Sequence, residues 1–185
     1  LQAGHLKATI LLNLDTEDDD EISIGCAGGV DLTSIGTYDP EKTSREGTTG
    51  LKITVKGGTG GHSGMDIHKG IANANKLINR VLLEALESVD IRVSEIEGGG
   101  LRNAIPREAN ALIVASELDM DALEVALKET TADIKSEYKT TDPHLNISWE
   151  REATPEEALP EDVQNALLLA LQVAPVGIHR MSSDI

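Results

Sequence analysis

Leu51-Lys52-Ile53-Thr54-Val55-Lys56 alternates apolar and polar side chains along its whole length. Successive side chains of an extended strand point to opposite faces, so this stretch has one dry face and one wet face. That is the pattern of an antiparallel sheet covered on one side only. Val89, Ile91 and Val93 repeat it around Asp90, Arg92 and Ser94, and Leu145, Ile147 and Trp149 repeat it around Asn146 and Ser148. Residues 109–115 make a fourth, more apolar strand. Between the strands, Ile71, Ala74, Leu77, Ile78, Val81, Leu82, Ala85 and Leu86 recur at the three-and-four spacing of one helix face, as do Met120, Leu123, Leu127, Ile134 and Tyr138. The order from residue 51 to about 150 is therefore β-α-β-β-α-β. This predicts an α+β, ferredoxin-like unit, in which one antiparallel sheet carries both helices on a single face. A third helix is expected over about 160–172, with Pro160 in its first turn and Val163, Leu167, Ala170 and Leu171 inward.

Upstream the pattern changes. Residues 8–14, Ala-Thr-Ile-Leu-Leu-Asn-Leu, form a nearly continuous apolar run, which reads as a strand covered on both faces in a parallel α/β sheet. Residues 22–26 and 30–38 read as two further strands separated by Ala27-Gly28-Gly29, and the domain boundary is expected at this Gly pair. Residues 1–28 would then be the edge of an α/β domain, and residues 29–185 a separate module. A stub of that size cannot bury a two-sided strand by itself. Together with a start at Leu1 rather than Met, this marks the chain as an expected internal piece of a longer protein.

Composition narrows the function classes. Sixteen Lys and Arg stand against 32 Asp and Glu, a formal charge of −16 that repels nucleic-acid phosphate and anionic lipid. With no Phe, one Trp and two Tyr, the chain also lacks the aromatic platforms on which bases stack. No apolar stretch reaches the roughly 18 residues of a membrane span. The single Cys26 cannot form an internal disulfide, so a reducing, cytoplasmic setting is expected.

Three polar stretches could carry chemistry. Asp15-Thr16-Glu17-Asp18-Asp19-Asp20-Glu21 follows the first apolar run, and ligands of α/β sheets bind beyond the carboxyl ends of the strands. Asp15 is thus placed like a metal or substrate residue, while Asp18 to Glu21 read as a solvated acidic loop. Lys56-Gly57-Gly58-Thr59-Gly60-Gly61-His62-Ser63-Gly64 leads from a strand toward a helix expected to start near Asp66. It satisfies neither nucleotide-binding glycine pattern, and it reads equally as a mobile loop carrying a binding His62 or as a flexible tip. Gly98-Gly99-Gly100-Leu101-Arg102-Asn103-Ala104-Ile105-Pro106 offers a guanidinium fork and an amide that both donates and accepts, or else a turn with a surface charge. His5, His68, His144 and His179 show no metal-ligand spacing.

These loops also carry a resemblance. Leu12-Asn13-Leu14-Asp15-Thr16-Glu17, Gly25-Cys26-Ala27-Gly28-Gly29, Gly60-Gly61-His62-Ser63-Gly64 with Asp66-Ile67-His68 and Asn73-Ala74-Asn75-Lys76-Leu77, and Leu101-Arg102-Asn103-Ala104-Ile105-Pro106-Arg107-Glu108 closely resemble the aminoacyl-histidine dipeptidases. These Xaa-His dipeptidases, or bacterial carnosinases, belong to the dizinc exopeptidase superfamily. A shorter match lies at Ile178-His179-Arg180-Met181-Ser182. The resemblance implies a zinc-dependent hydrolase of Xaa-His dipeptides such as carnosine, with two zinc ions, acting as a homodimer. It implies Asp15 as a zinc ligand, His62 as a lid residue that stabilises the oxyanion or substrate, and Asn103, assisted by Arg102, as a contact to the substrate backbone or carboxylate. The family's bridging aspartate, histidine ligands and Glu-Glu pair have no counterpart here, so the chain is expected to be mainly the lid and dimerisation domain and to be inactive alone. The alternative is a non-catalytic oligomerisation or peptide-binding module.

Overall fold

The computed structural model describes residues 7–10, 12, 20, 22 and 28–179. The chain divides into two compact units, Leu1–Gly36 and Thr37–Ile185. In the first, none of the described residues is helix or strand, and Val30, Leu32 and Ile35 are exposed. The strand expected over 30–38 does not form: residues 28–40 are all exposed and none of them is assigned to a strand. Alternating apolar residues favour extension, but a strand exists only where its N–H and C=O groups find a partner. The runs 8–14 and 22–26 fall largely outside the described residues, and Ala8, Thr9, Ile10, Leu12 and Ile22 within them carry no strand.

The second unit runs β1 (Glu41–Lys42), β2 (Thr48–Lys56), β3 (Gly61–His62), a 3-10 turn (Ile67–Lys69), α1 (Ala74–Ser88), β4 (Ile91–Gly98), β5 (Ala104–Ile105), β6 (Ala109–Ser116), a second 3-10 turn (Glu117–Asp119), α2 (Met120–Glu137), β7 (Asn146–Glu152), β8 (Glu157–Ala158) and α3 (Glu161–Val173). The four long strands form one antiparallel sheet in the order β4-β6-β2-β7. With α1 and α2 as the crossovers, this is the ferredoxin-like βαββαβ arrangement read from the alternation at Leu51 to Lys56.

Register explains the core. Leu51 lies opposite Ile113, Ile53 between Ala111 and Trp149, and Val93 opposite Ile113. These side chains meet Leu77, Ile78, Val81 and Leu82 of α1 and Leu123, Leu127 and Ile134 of α2 in one cluster. A bulge between Val93 and Glu95 shifts the parity of β4, so that Ile96 also packs against the core while Glu95 and Glu97 stay exposed. The extra residue is why strict alternation fails along this strand.

α3 turns out differently from its expected face. Gln164 and Leu168 are its buried residues, Val163 is half-buried, and Leu167 and Ala170 are exposed. The rotation follows from the unpaired edge of β4. Gln164 Nε2 donates to Ile91 O (3.2 Å), and its Oε1 accepts from Val93 N–H (2.7 Å). Leu159 N–H donates to Val93 O as well (2.8 Å). A buried edge must be satisfied, so a polar side chain is drawn inward where periodicity favoured an apolar one. Gln164→Leu keeps the volume but strands these groups, and is expected to cost about 2 kcal/mol in denaturant unfolding. The opposite end of α3 is held by Lys76, whose Nζ donates to the carbonyls of Leu171 (2.5 Å), Gln172 (2.9 Å) and Ala174 (2.7 Å). A cation there complements the negative end of the helix dipole.

Candidate functional site

The two glycine-bearing loops meet. β3 and β5 pair antiparallel, with Gly61 opposite Ile105 and His62 opposite Ala104. Ser63 N–H donates to Asn103 O at 2.9 Å, which extends the contact by one residue. Lower down, Gly58 N–H donates to Arg107 O (3.3 Å) and Arg107 Nε returns a bond to Gly58 O (3.1 Å). Residues 40 to 49 positions apart in sequence are thus joined through their backbones, and His62, Arg102 and Asn103 share one exposed surface region. Asp15, the fourth site residue, lies outside the described residues.

The bases of both loops are tight. Gly57 has φ +79°, and a Cβ there would lie 2.2 Å from His144 O. Only glycine meets both conditions. Gly98 packs on α1, where an added Cβ would lie 2.1 Å from Asn75 Oδ1. Asp142 fastens the first loop: its Oδ1 accepts from Thr59 N–H (2.7 Å) and its Oδ2 from Ala72 N–H (2.8 Å). Thr59 Oγ1 adds a bond to Thr141 O (2.7 Å). Asp142 is buried, and burial pushes its carboxyl upward, but the N–H groups of Thr59 and Ala72 and the hydroxyls of Thr141 and Thr59 outweigh this and hold it below the ordinary carboxylate value.

His62 is held from its own turn. Its backbone N–H donates to Asp66 Oδ2 at 2.7 Å, while its Nδ1 receives N–H bonds from Gly64 (3.0 Å) and Met65 (3.1 Å). Asp66 pairs with Lys69 at 2.5 Å. That bond, followed by the one from His62, lowers its carboxyl from the ordinary value. Asp66 and Asp142 escape sequence reasoning for different reasons. Asp66 stands four residues from His62 in a stretch whose pattern suggests a helix start, and Asp142 is 83 residues from Thr59, with no local signal.

The expected helix start near Asp66 is a 3-10 turn instead, and α1 begins at Ala74, with Ile71 ahead of it. Ala74 N–H donates to Pro106 O (3.0 Å), and Asn73 Oδ1 accepts from Asn75 (3.1 Å) and Lys76 (3.3 Å). The helix is capped by its own sequence, so its N–H groups are already used. Among the described residues no group of three or more His, Cys, Asp or Glu could hold a metal ion. The described part of the chain therefore does not fit a zinc pair by itself. What it presents is an imidazole, an amide and a guanidinium, a set suited to hydrogen-bonding an anionic oxygen.

The family described as peptidase dimerisation domain matches residues 43–142. The chain is 38% identical over 182 residues to the cytosol non-specific dipeptidase of Escherichia coli (strain K12), an alignment covering 98% of this chain and 37% of that protein. Its fold is similar to the crystal structure of aminoacylhistidine dipeptidase from Vibrio alginolyticus, with a TM-score of 0.75 and 35% sequence identity, over 80% of this chain and 30% of that one.

Proposed function

Because the chain belongs to the peptidase dimerisation domain family, we propose that it is the lid and dimerisation part of a dipeptidase, with residues 1–28 at the edge of the catalytic domain and residues 29–185 forming the lid. The observation that carries this reading is the β3–β5 pairing, which presents His62 beside Arg102 and Asn103 on an exposed surface. In this reading the substrate is a dipeptide, Xaa-His dipeptides such as carnosine included. His62 donates a hydrogen bond to an anionic oxygen of the substrate or of the tetrahedral transition state. Asn103 and Arg102 bind the substrate backbone or its carboxylate.

Zinc belongs to this proposal as the metal of the intact enzyme, where it would supply an activated water. Asp15 is the one residue of this chain assigned to it. The described residues contribute binding and orientation, and the 185-residue chain alone is inactive. The intact protein acts as a homodimer in the cytoplasm; among the described residues no helix is long and apolar enough to cross a membrane.

The test is hydrolysis by the intact protein of carnosine, Ala-His and Ala-Ala, with and without a chelator. Dipeptide cleavage that is lost on chelation and returns with zinc is expected. Cleavage of none of them removes the proposal, and equal rates on Ala-His and Ala-Ala remove the Xaa-His preference alone.

A further inference from the structure

The hydrogen bonds around His62 bear on its tautomer as well as its position. An imidazole nitrogen that accepts two backbone N–H bonds has its lone pair turned toward them and carries no proton. Nδ1 of His62 accepts from both Gly64 (3.0 Å) and Met65 (3.1 Å). In the neutral ring the proton is then on Nε2, at the opposite edge of the imidazole and away from the turn. The turn is itself pinned, since Asp66 Oδ2 receives the backbone N–H of His62 (2.7 Å), Asp66 N–H returns to His62 O (3.1 Å), and Lys69 holds the same carboxylate (2.5 Å).

We propose that the turn from Ser63 to Asp66 selects the tautomer of the neutral His62 imidazole that donates from Nε2, with Asp66 as its positioning residue. So held, His62 recognises an anionic oxygen and does not serve as a base, because the one nitrogen able to accept a proton is already occupied by the backbone. Which oxygen it meets, the substrate carboxylate or the transition-state oxyanion, rests on the dipeptidase reading; the tautomer does not.

The direct experiment labels the ring nitrogens of histidine with 15N in the intact protein and reads the tautomer of the neutral rings by NMR. The His62 signals are assigned by their loss in His62→Gln. An unprotonated Nδ1 and a protonated Nε2 are expected; an Nδ1–H form, or a mixture of the two, overturns the proposal. Kinetics give a second arm. Glutamine can place an amide N–H near the position of Nε2 but cannot titrate, whereas asparagine reaches only the position of Nδ1. His62→Gln is expected to stay within about tenfold of the parent kcat/KM and His62→Asn to lose about a hundredfold. Equal losses would make His62 an acid or base and overturn it. An effect confined to kcat assigns the oxyanion, and one confined to KM assigns the substrate carboxylate. Asp66→Ala is expected to mix the tautomers and lower kcat/KM about tenfold, and Asp66→Asn, which keeps an acceptor for His62 N–H, to recover to within about threefold. A single Nε2–H tautomer and unaltered kinetics in Asp66→Ala would remove Asp66 from the role. If the intact protein cleaves no dipeptide, the functional reading fails while the NMR result still decides the tautomer.

Discussion

His62→Ala in the intact protein is expected to lower kcat/KM for dipeptide hydrolysis by about 10²- to 10³-fold, the usual loss when one donor to a developing oxyanion is removed. The same change is expected to move the thermal midpoint by no more than about 2 °C. The asymmetry follows from where the side chain sits. His62 is exposed, so truncation opens no cavity, and the Gly64 and Met65 N–H groups it releases can turn to water. The loop pairing survives because it uses backbone groups: His62 opposite Ala104, and Ser63 N–H on Asn103 O. Matched losses of activity and stability would instead make the imidazole a structural part of the turn. Far-UV circular dichroism and a melting curve alongside the assay separate the two outcomes.

Asp142→Ala should do the reverse, acting first on stability. It removes two charge-assisted bonds, to Thr59 N–H at 2.7 Å and Ala72 N–H at 2.8 Å, from a buried carboxylate. Bonds to a charged acceptor contribute about 1.5–3 kcal/mol each, and a net loss of about 3 kcal/mol is expected after partial rehydration. The pH dependence has a definite sign. The folded-state value is lowered from 3.8, so the unfolded chain takes up a proton more readily than the folded one as pH falls. The stabilisation is therefore complete above about pH 5 and is lost as pH drops through the lowered folded-state value. Denaturant unfolding of parent and variant should show the full gap at pH 6, narrowing as the pH falls below 3.8. A gap that persists undiminished in acid would mean that the carboxylate charge is not what holds the loop. Because Thr59 lies three residues before His62 in the same loop, a loss of catalytic efficiency by the intact enzyme is expected to follow the loss of stability.

Part of this organisation is legible in neighbouring residues and part is not. The sheet was legible because Leu51, Ile53 and Val55 alternate with polar neighbours, and α1 because Leu77, Ile78, Val81 and Leu82 recur on one face. His62, Asn103 and Arg102 are expected as site residues through a motif resemblance alone, and the structure joins the loops that carry them. The apolar residues Val30, Leu32 and Ile35 suggest a strand that does not form, since nothing in a local pattern states whether a partner strand is present. The helix expected at Asp66 misled for a similar reason. Asp66 looks like a helix cap, but its carboxylate is taken by His62 N–H and Lys69, and capping passes to Asn73.

By itself the sequence determined the elements whose cause is local: the strands of the ferredoxin-like sheet, its two crossover helices and the separation of dry and wet faces. Burial period and backbone propensity act over a few residues, so they are written in neighbouring letters. Only the tertiary structure decided that Gln164 turns inward to close the β4 edge, that Asp142 fastens the glycine loop, and that Gly64, Met65 and Asp66 hold the ring and backbone of His62. Each of these satisfies a backbone donor or acceptor through a hydrogen bond that composition and periodicity do not encode. Such a bond is specified by the positions of two groups in space, and those positions exist only once the chain has folded.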